Sequence, residues 1–467
     1  MYKRQGYGLY WAPFNYPGPS TSASNYGQVG FTQNTILSQS RTNPVTLTNP
    51  FPNGVATPTG NSQGALTNLD SNISFVDQTR TAPRVQQFSV DLQRELGADL
   101  TVTASYVGAR SDHLGLGGSN DTPININQLN PAYLSLGAAL NDQLPNPFRG
   151  NPNVPLSLST PATLARSRLL LPFPQYRQVN ARQVTEGYSR YNAAVFEVSR
   201  RLKNGWGGRF SYTYSVLKDN LIGESNFYAA VSPALPINNY NYLATAPACS
   251  GGAQYTTACF DPSAEYGYSV VDVPHRVILA PMVQLPFGEG HRFGSGGLGQ
   301  KLLGDWTLAA TVTLQSGFPL NVQQAADARL SLGGSTTANR PNIVEGVDLA
   351  TAGGFEDRLA SADHPTATWV NSAAFALASA GTIGNAPRTI TEVRTPPQYN
   401  VDAVVQKDLG LVAGWKGQLR LEVLNVLNRP NVRALQGANT VGSSNFGQTN
   451  LQSGFMRILQ FSFRMSF

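Results

Sequence analysis

Charge is scarce in this chain: Asp, Glu, Lys and Arg make up 13% of 467 residues, about half the roughly 25% usual in soluble domains. The hydrophobic fraction is nonetheless 41%, and that combination excludes an intrinsically disordered chain, which is poor in apolar residues and rich in net charge. No run of about 20 apolar residues occurs, which excludes a membrane-spanning helix, and the mean hydropathy is only −0.21. Glycine (45) and proline (31) together stay below the roughly 25 to 30% of low-complexity chains. The 33 basic and 27 acidic residues leave a net charge of +6, and no basic cluster is interleaved with aromatics, so nucleic acid is not an expected partner.

Metal ligands are scarce as well. His113, His275, His291 and His364 are scattered, whereas a zinc site needs about four convergent ligands. Cys249 and Cys259 are the two cysteines, both within ACSGGAQYTTAC. Their closeness suits a local disulfide in an oxidising compartment, with free thiols as the alternative. No cofactor is called for. The opening MYKRQGYGLYWAPF has no charged segment followed by an apolar one and a cleavage site, so no secretory leader is read there. Tyr2 to Gln5 reads as foreign to the fold, and the chain is expected to begin partway through a longer protein.

What the sequence does have is a period of two. Phe88, Val90 and Leu92 alternate with Gln87, Ser89, Asp91 and Gln93, and Leu100, Val102, Ala104 and Tyr106 alternate with Thr101, Thr103 and Ser105. Such alternation marks strands with one apolar and one polar face, and segments of about 9 to 13 residues suit a tilted strand crossing a bilayer. Gly97 to Asp99 join this pair as a hairpin. A second hairpin joins Tyr191–Leu202 to Gly207–Lys218 through Lys203, Asn204, Gly205 and Trp206. A third sets Val277, Leu279, Val283 and Leu285 against Trp306, Leu308, Ala310, Val312 and Leu314; a fourth sets Tyr399, Val401, Ala403 and Val405 against Leu419, Leu421 and Val423. The chain closes on Leu459, Phe461, Phe463, Met465 and Phe467, alternating with polar residues.

With Gly6 to Pro13 as the first strand, about ten strands result. Tight connectors alternate with long ones near 14 to 83, 111 to 188, 219 to 271, 323 to 396 and 429 to 454, all rich in Asn, Gly, Pro, Ser and Thr and without periodicity. The fold class expected is therefore all-β: an antiparallel transmembrane β-barrel with short periplasmic turns and long extracellular loops. Trp206, Trp306 and Trp415 fall beside short connectors, where an aromatic girdle meets the headgroups. Arg94, Arg200 and Lys407 continue the apolar register at the same ends, where long cations snorkel. Asp91, Glu197, Arg276, Arg420, Glu422 and Arg464 read as a solvated inner wall.

Five collinear segments carry a family resemblance: VDLQRELGADLTVTASYVGARSDHL, RYNAAVFEVSRRLKNGWGGRFSYTYS, DVPHRVILAPMVQLPFGEG, GDWTLAATVTLQSGFPLNV and RLEVLNVLNRPN. Together they resemble the C-terminal half of the barrel of TonB-dependent outer-membrane receptors. Within these they are most similar to Oar-like receptors, which carry an N-terminal carboxypeptidase-regulatory-like domain and are abundant in Acidobacteria and relatives of Myxococcus. The resemblance implies a barrel of about 22 strands around a plug, placed in outer-membrane lipid by the barrel-insertion machinery. It also implies energised movement of a ligand through the TonB complex, which acts on a segment near the receptor's N-terminus. Residues 1–467 then correspond to the C-terminal part of one barrel, with plug, TonB box and N-terminal domain outside this sequence, and the ligand is not readable. The C-terminal run from Leu459 to Phe467 resembles the terminal address read by the insertion machinery.

Other readings have less behind them. A passive porin, or an adhesin presenting the long loops, keeps the barrel without TonB; a soluble secreted β-rich binding protein keeps neither. No enzyme is expected. Asp272 and His275 in DVPHR lack a GxSxG partner, SGGLGQK at 295–301 lacks the ending of a phosphate loop, and Ala325 to Arg329 has too few oxygen ligands for calcium.

Overall fold

The computed structural model describes residues 1–13, 54–97, 99–116, 131–221, 262–287, 302–324, 340–361, 363–379, 384–410, 415–432, 438–449 and 454–466, with a few short stretches between them. Ten long strands form one antiparallel sheet: β1 (Tyr2–Trp11), β2 (Arg84–Leu96), β3 (Leu100–Leu114), β4 (Gly187–Lys203), β5 (Trp206–Asp219), β6 (His275–Gln284), β7 (Trp306–Gln315), β8 (Gln398–Gly410), β9 (Lys416–Leu424) and β10 (Ile458–Ser466). Each pairs with its neighbour in sequence, and the short strand Gly267–Tyr268 adds to β5. The meander is the all-β barrel architecture that the alternation predicts. Among the described residues β1 and β10 each pair on one side only, so the sheet is not closed.

Strand parity fixes the faces, because residues directly opposite across a pair share a side of the sheet. The register runs unbroken from Ala104 through Phe196, Tyr212, Val277 and Leu314 to Tyr399. A parallel line links Phe210, Leu279, Val312 and Val401, and Leu419 and Leu421 lie opposite Phe463 and Phe461. One apolar face thus crosses β2 to β10. Among the described residues nothing packs over it as a second layer: Phe196 is 42% exposed and Phe461 76%. That rules out the closed interior which a soluble sandwich would build from these side chains.

Local chemistry makes the short turns. Asn204 and Gly205 have φ of 55° and 82°, the left-handed pair that a two-residue hairpin needs and that Asn-Gly supplies with least strain. Asp99 (φ 64°) turns the β2–β3 hairpin, and its carboxylate meets Lys203 Nζ at 2.6 Å.

Two strand boundaries differ from expectation. The first strand begins at Tyr2, and Tyr2–Gln5 pair with Gln93–Val90, so these residues belong to the sheet. Backbone pairing decides a strand's extent, and polar side chains do not interrupt it. β4 likewise begins at Gly187, opposite Leu114, four residues before its alternation.

The largest difference lies in the long connectors, which carry the only dry cores among the described residues. One cap gathers Leu320, Val322, Trp369, Val370, Phe375, Ile390, Val393, Val441 and Phe446. A second holds Asn72–Val76 and Gln178–Arg182 as a parallel pair, over small clusters around Leu129, Leu140 and Leu171 and around Leu69, Val154 and Leu158. Period-two reading misses these cores because their apolar residues are spaced by tertiary contact, not by a strand or helix repeat.

Candidate functional site

The sheet's second face carries the polar partners of the alternation. Asp91, Glu197, Arg276, Arg420, Glu422 and Arg464 all take the parity opposite to the apolar face. Arg209 pairs with Glu197, and Arg420 with Glu422 at 2.5 Å. These pairs are open to water, where an ion pair contributes roughly 0 to 1 kcal/mol. The face is a wetted wall.

At the long-connector end, three ion pairs fasten the second half's cap to the bases of β5 and β6. Arg388 is buried and donates to the Asp219 carboxylate at 2.8 Å. It also donates to the carbonyls of Asp219, Leu221, Glu265 and Tyr268. Arg340 pairs with Glu265, both buried. Arg394 donates to Asp272 at 2.8 Å, while the other oxygen of Asp272 accepts from the Leu217 N–H. Trp369 Nε1 donates to the Arg394 carbonyl. Gly317 lets the chain through here, since a Cβ would fall 1.7 Å from the Thr395 carbonyl oxygen. Buried charges are tolerated when each is paired and hydrogen-bonded; each of these has its partner, and only Arg340 Nε and Glu265 Oε1 in this group make no hydrogen bond.

The first half's cap is pinned similarly. Asp70 accepts from Arg168 and Arg177, each at 3.1 Å. Burial pushes the Asp70 carboxyl up, but the hydrogen bond from Arg177 and the charges of Arg177 and Arg168 outweigh it, so its pKa lies below the ordinary value. Asn127 and Asn146 each satisfy three backbone groups across turns, which substitutes for a regular ladder.

The residues singled out by sequence divide as follows. Trp206 is exposed at the short-turn rim with the Arg200 guanidinium 3.3 Å from its ring centroid. Trp306 donates to the Leu302 carbonyl and has Lys407 Nζ 5.1 Å from its ring. Trp415 is 38% exposed just before β9. Arg200 and Lys407 therefore lie over indoles, a contact the sequence does not reveal, and Lys407 does not reach the headgroups as expected: it is buried and donates to the Gly304 carbonyl at 2.6 Å. Leu459, Phe461, Phe463 and Met465 lie in β10, exposed on the apolar face. Phe467, Cys249, Cys259, 295–301 and Ala325 to Arg329 lie outside the described residues. Asp272 and His275 are not brought together: Asp272 serves Arg394, and His275 Nδ1 shares a 2.9 Å hydrogen bond with the Tyr212 hydroxyl. Sequence reading missed Arg340, Arg388 and Arg394, although a charge in a sparsely charged loop is itself a signal. It also missed Tyr188, Tyr266 and Tyr268 at the far rim; Tyr188 stacks on Tyr266 at 5.2 Å.

Residues 3–460 match the outer membrane beta barrel domain family. The chain belongs to that family. It is a bacterial outer-membrane barrel family, so the exposed apolar face of the sheet is a lipid-facing one. No curated protein matches the chain. Among solved structures it is similar to the Escherichia coli outer membrane transporter YddB, at 8% identity and a TM-score of 0.36, over 85% of this chain and 34% of that one. It is also similar to the Pseudomonas aeruginosa ferripyoverdine receptor (8%, TM-score 0.30, 82% and 27%) and to the ferric citrate transporter FecA (10%, TM-score 0.31, 82% and 31%). The chain spans about a third of the length of these structures.

Proposed function

We propose that the chain is the C-terminal part of the barrel of a TonB-dependent outer-membrane receptor of the Oar-like group, with its plug, TonB box and N-terminal domain encoded upstream. The observation that carries this reading is the coincidence of motif and fold. The five segments that resemble the family fall on seven of the ten strands, β2 to β7 and β9, in collinear order. Short turns are periplasmic and the two caps extracellular, the asymmetry of outer-membrane barrels. The caps receive an unidentified ligand, the wetted wall borders its route, and energy arrives through TonB. Trp206, Trp306 and Trp415 form the periplasmic girdle, the terminal strand is the address read by the insertion machinery, and Cys249 and Cys259 form a disulfide within an extracellular loop.

The test is capture of the full-length gene product from solubilised outer membranes on the immobilised periplasmic domain of TonB. Retention that disappears when the residues of the TonB box are deleted is the expected result. Equal recovery with and without them makes the chain part of a passive barrel.

A further inference from the structure

The geometry points to a binding site for a lipid headgroup with a net negative phosphate, a phosphomonoester, on the apolar side of the sheet at the long-connector ends of β3, β4 and β5. The register places Arg110 directly opposite Arg190, and Arg190 directly opposite Lys218. Parity puts all three on the face that carries Tyr106, Phe196 and Tyr212. Three cations in a line across adjacent strands repel one another, and like charges directly opposite weaken a sheet. Arg84 adds a fourth cation nearby.

Their counter-charge is incomplete. Asp112 is shared between Arg84 at 3.1 Å and Arg190 at 3.2 Å. Arg110 is exposed and has no ion-pair partner among the described residues, and Lys218 Nζ rests against the Tyr268 ring, 4.8 Å from its centroid. A polar cavity of about 410 Å³ adjoins Arg190 and Asp112 and is also lined by Asp77 and Glu186. Asp77 is committed to the N–H and hydroxyl of Thr79. The four cations Arg84, Arg110, Arg190 and Lys218 face the three carboxylates of Asp112, Asp77 and Glu186, so one positive charge is left over for an external anion to neutralise.

Its depth selects the anion. β3, β4 and β5 are 15, 17 and 14 residues long, whereas about 9 to 11 residues cross the hydrocarbon, and the cations occupy the surplus. They stand four residues, about 13 Å along the strand, beyond the exposed Tyr106 and Tyr214. Arg190 lies 5.7 Å from the Tyr188 ring centroid, giving the mixture of aromatic and cation found where headgroups begin. Arginine forks match phosphate oxygens bidentately. The proposal rests on membership of the barrel family and not on the transport reading.

The test uses the protein purified from outer membranes in dodecylmaltoside, with native mass spectrometry of bound dioleoyl phosphatidic acid and dioleoyl phosphatidylcholine. Phosphatidic acid is expected to bind more tightly. Arg110→Gln with Lys218→Gln is expected to weaken it about 25-fold, at about fivefold per cation near a membrane surface, and to leave phosphatidylcholine unchanged; Arg110→Lys, which keeps the charge and loses the fork, is expected to weaken it less than Arg110→Gln. Should the double variant not fold, as scored by heat-modifiable migration, Arg110→Gln alone carries the test with a fivefold loss. Equal binding of the two lipids, or no loss in the variants, overturns the proposal. So does displacement of the lipid by excess inorganic phosphate, which makes this a free-anion site, or by polyglutamate, which assigns it to an acidic protein.

Discussion

Arg388 closes on Asp219 at 2.8 Å across 169 positions of sequence, joining the cap that precedes β8 to the end of β5. Both side chains are 3% exposed. Removing one partner of a buried pair leaves an uncompensated charge, at a cost of about 3 to 5 kcal/mol. Arg388→Ala is therefore expected to loosen the cap, exposing 340–361 and 384–397 to limited proteolysis while heat-modifiable migration of the barrel persists. Arg388→Lys does not rescue it, because one ammonium cannot serve a carboxylate and four carbonyls. Unchanged protease resistance in Arg388→Ala would show that the cap's apolar core holds it alone.

The first half's cap has an acid limit. Asp70 has a lowered pKa when folded, so its contribution is fully present above the unfolded value of about 3.9 and is lost as pH falls through the folded one. Hydrogen-exchange protection of Asn72–Val76, corrected for intrinsic rates, is expected to decline below about pH 4. Asp70→Asn is expected to lower protection at neutral pH and flatten that decline. An identical acid profile in the variant would sink the assignment.

Parity predicts opposite outcomes for adjacent residues. Val312 lies on the lipid face and Thr313 on the wetted one. An arginine at a lipid-facing mid-depth position costs about 2 to 4 kcal/mol. Val312→Arg is expected to lower the yield of heat-modifiable barrel in outer-membrane fractions, and Thr313→Arg to leave it near wild type. Equal yields would contradict the assignment of faces.

The terminal strand is expected to act as the assembly address. Chain ends usually fray unless tied down, yet β10 stays paired to Ser466, opposite Lys416. Deleting Phe467 in the full-length gene is expected to reduce assembled barrel without changing total synthesis. A normal yield of folded receptor would remove the signal.

For Cys249 and Cys259, a disulfide closing a loop of about ten residues contributes on the order of 2 to 3 kcal/mol. Peptide mapping without reductant is expected to recover the two as one linked species. Recovery of both as alkylated free thiols would refute the pairing.

Alternation by itself determined the faces of the ten long strands and most of their extent. Whether Phe88, Phe196 or Val401 points to lipid follows from a period of two, a local property that needs no partner. Asn204-Gly205 likewise fixed its own turn. Only the tertiary structure decided the rest. The cores of the caps, the burial of Arg340 and Arg388, and the seating of Arg200 over Trp206 join residues with no shared period. The line from Arg110 through Arg190 to Lys218 also depends on register, because nothing within a single strand sets its cation apart from any other. Where strands align is set by pairing across the sheet, and pairing between distant segments leaves no repeat in the sequence to read.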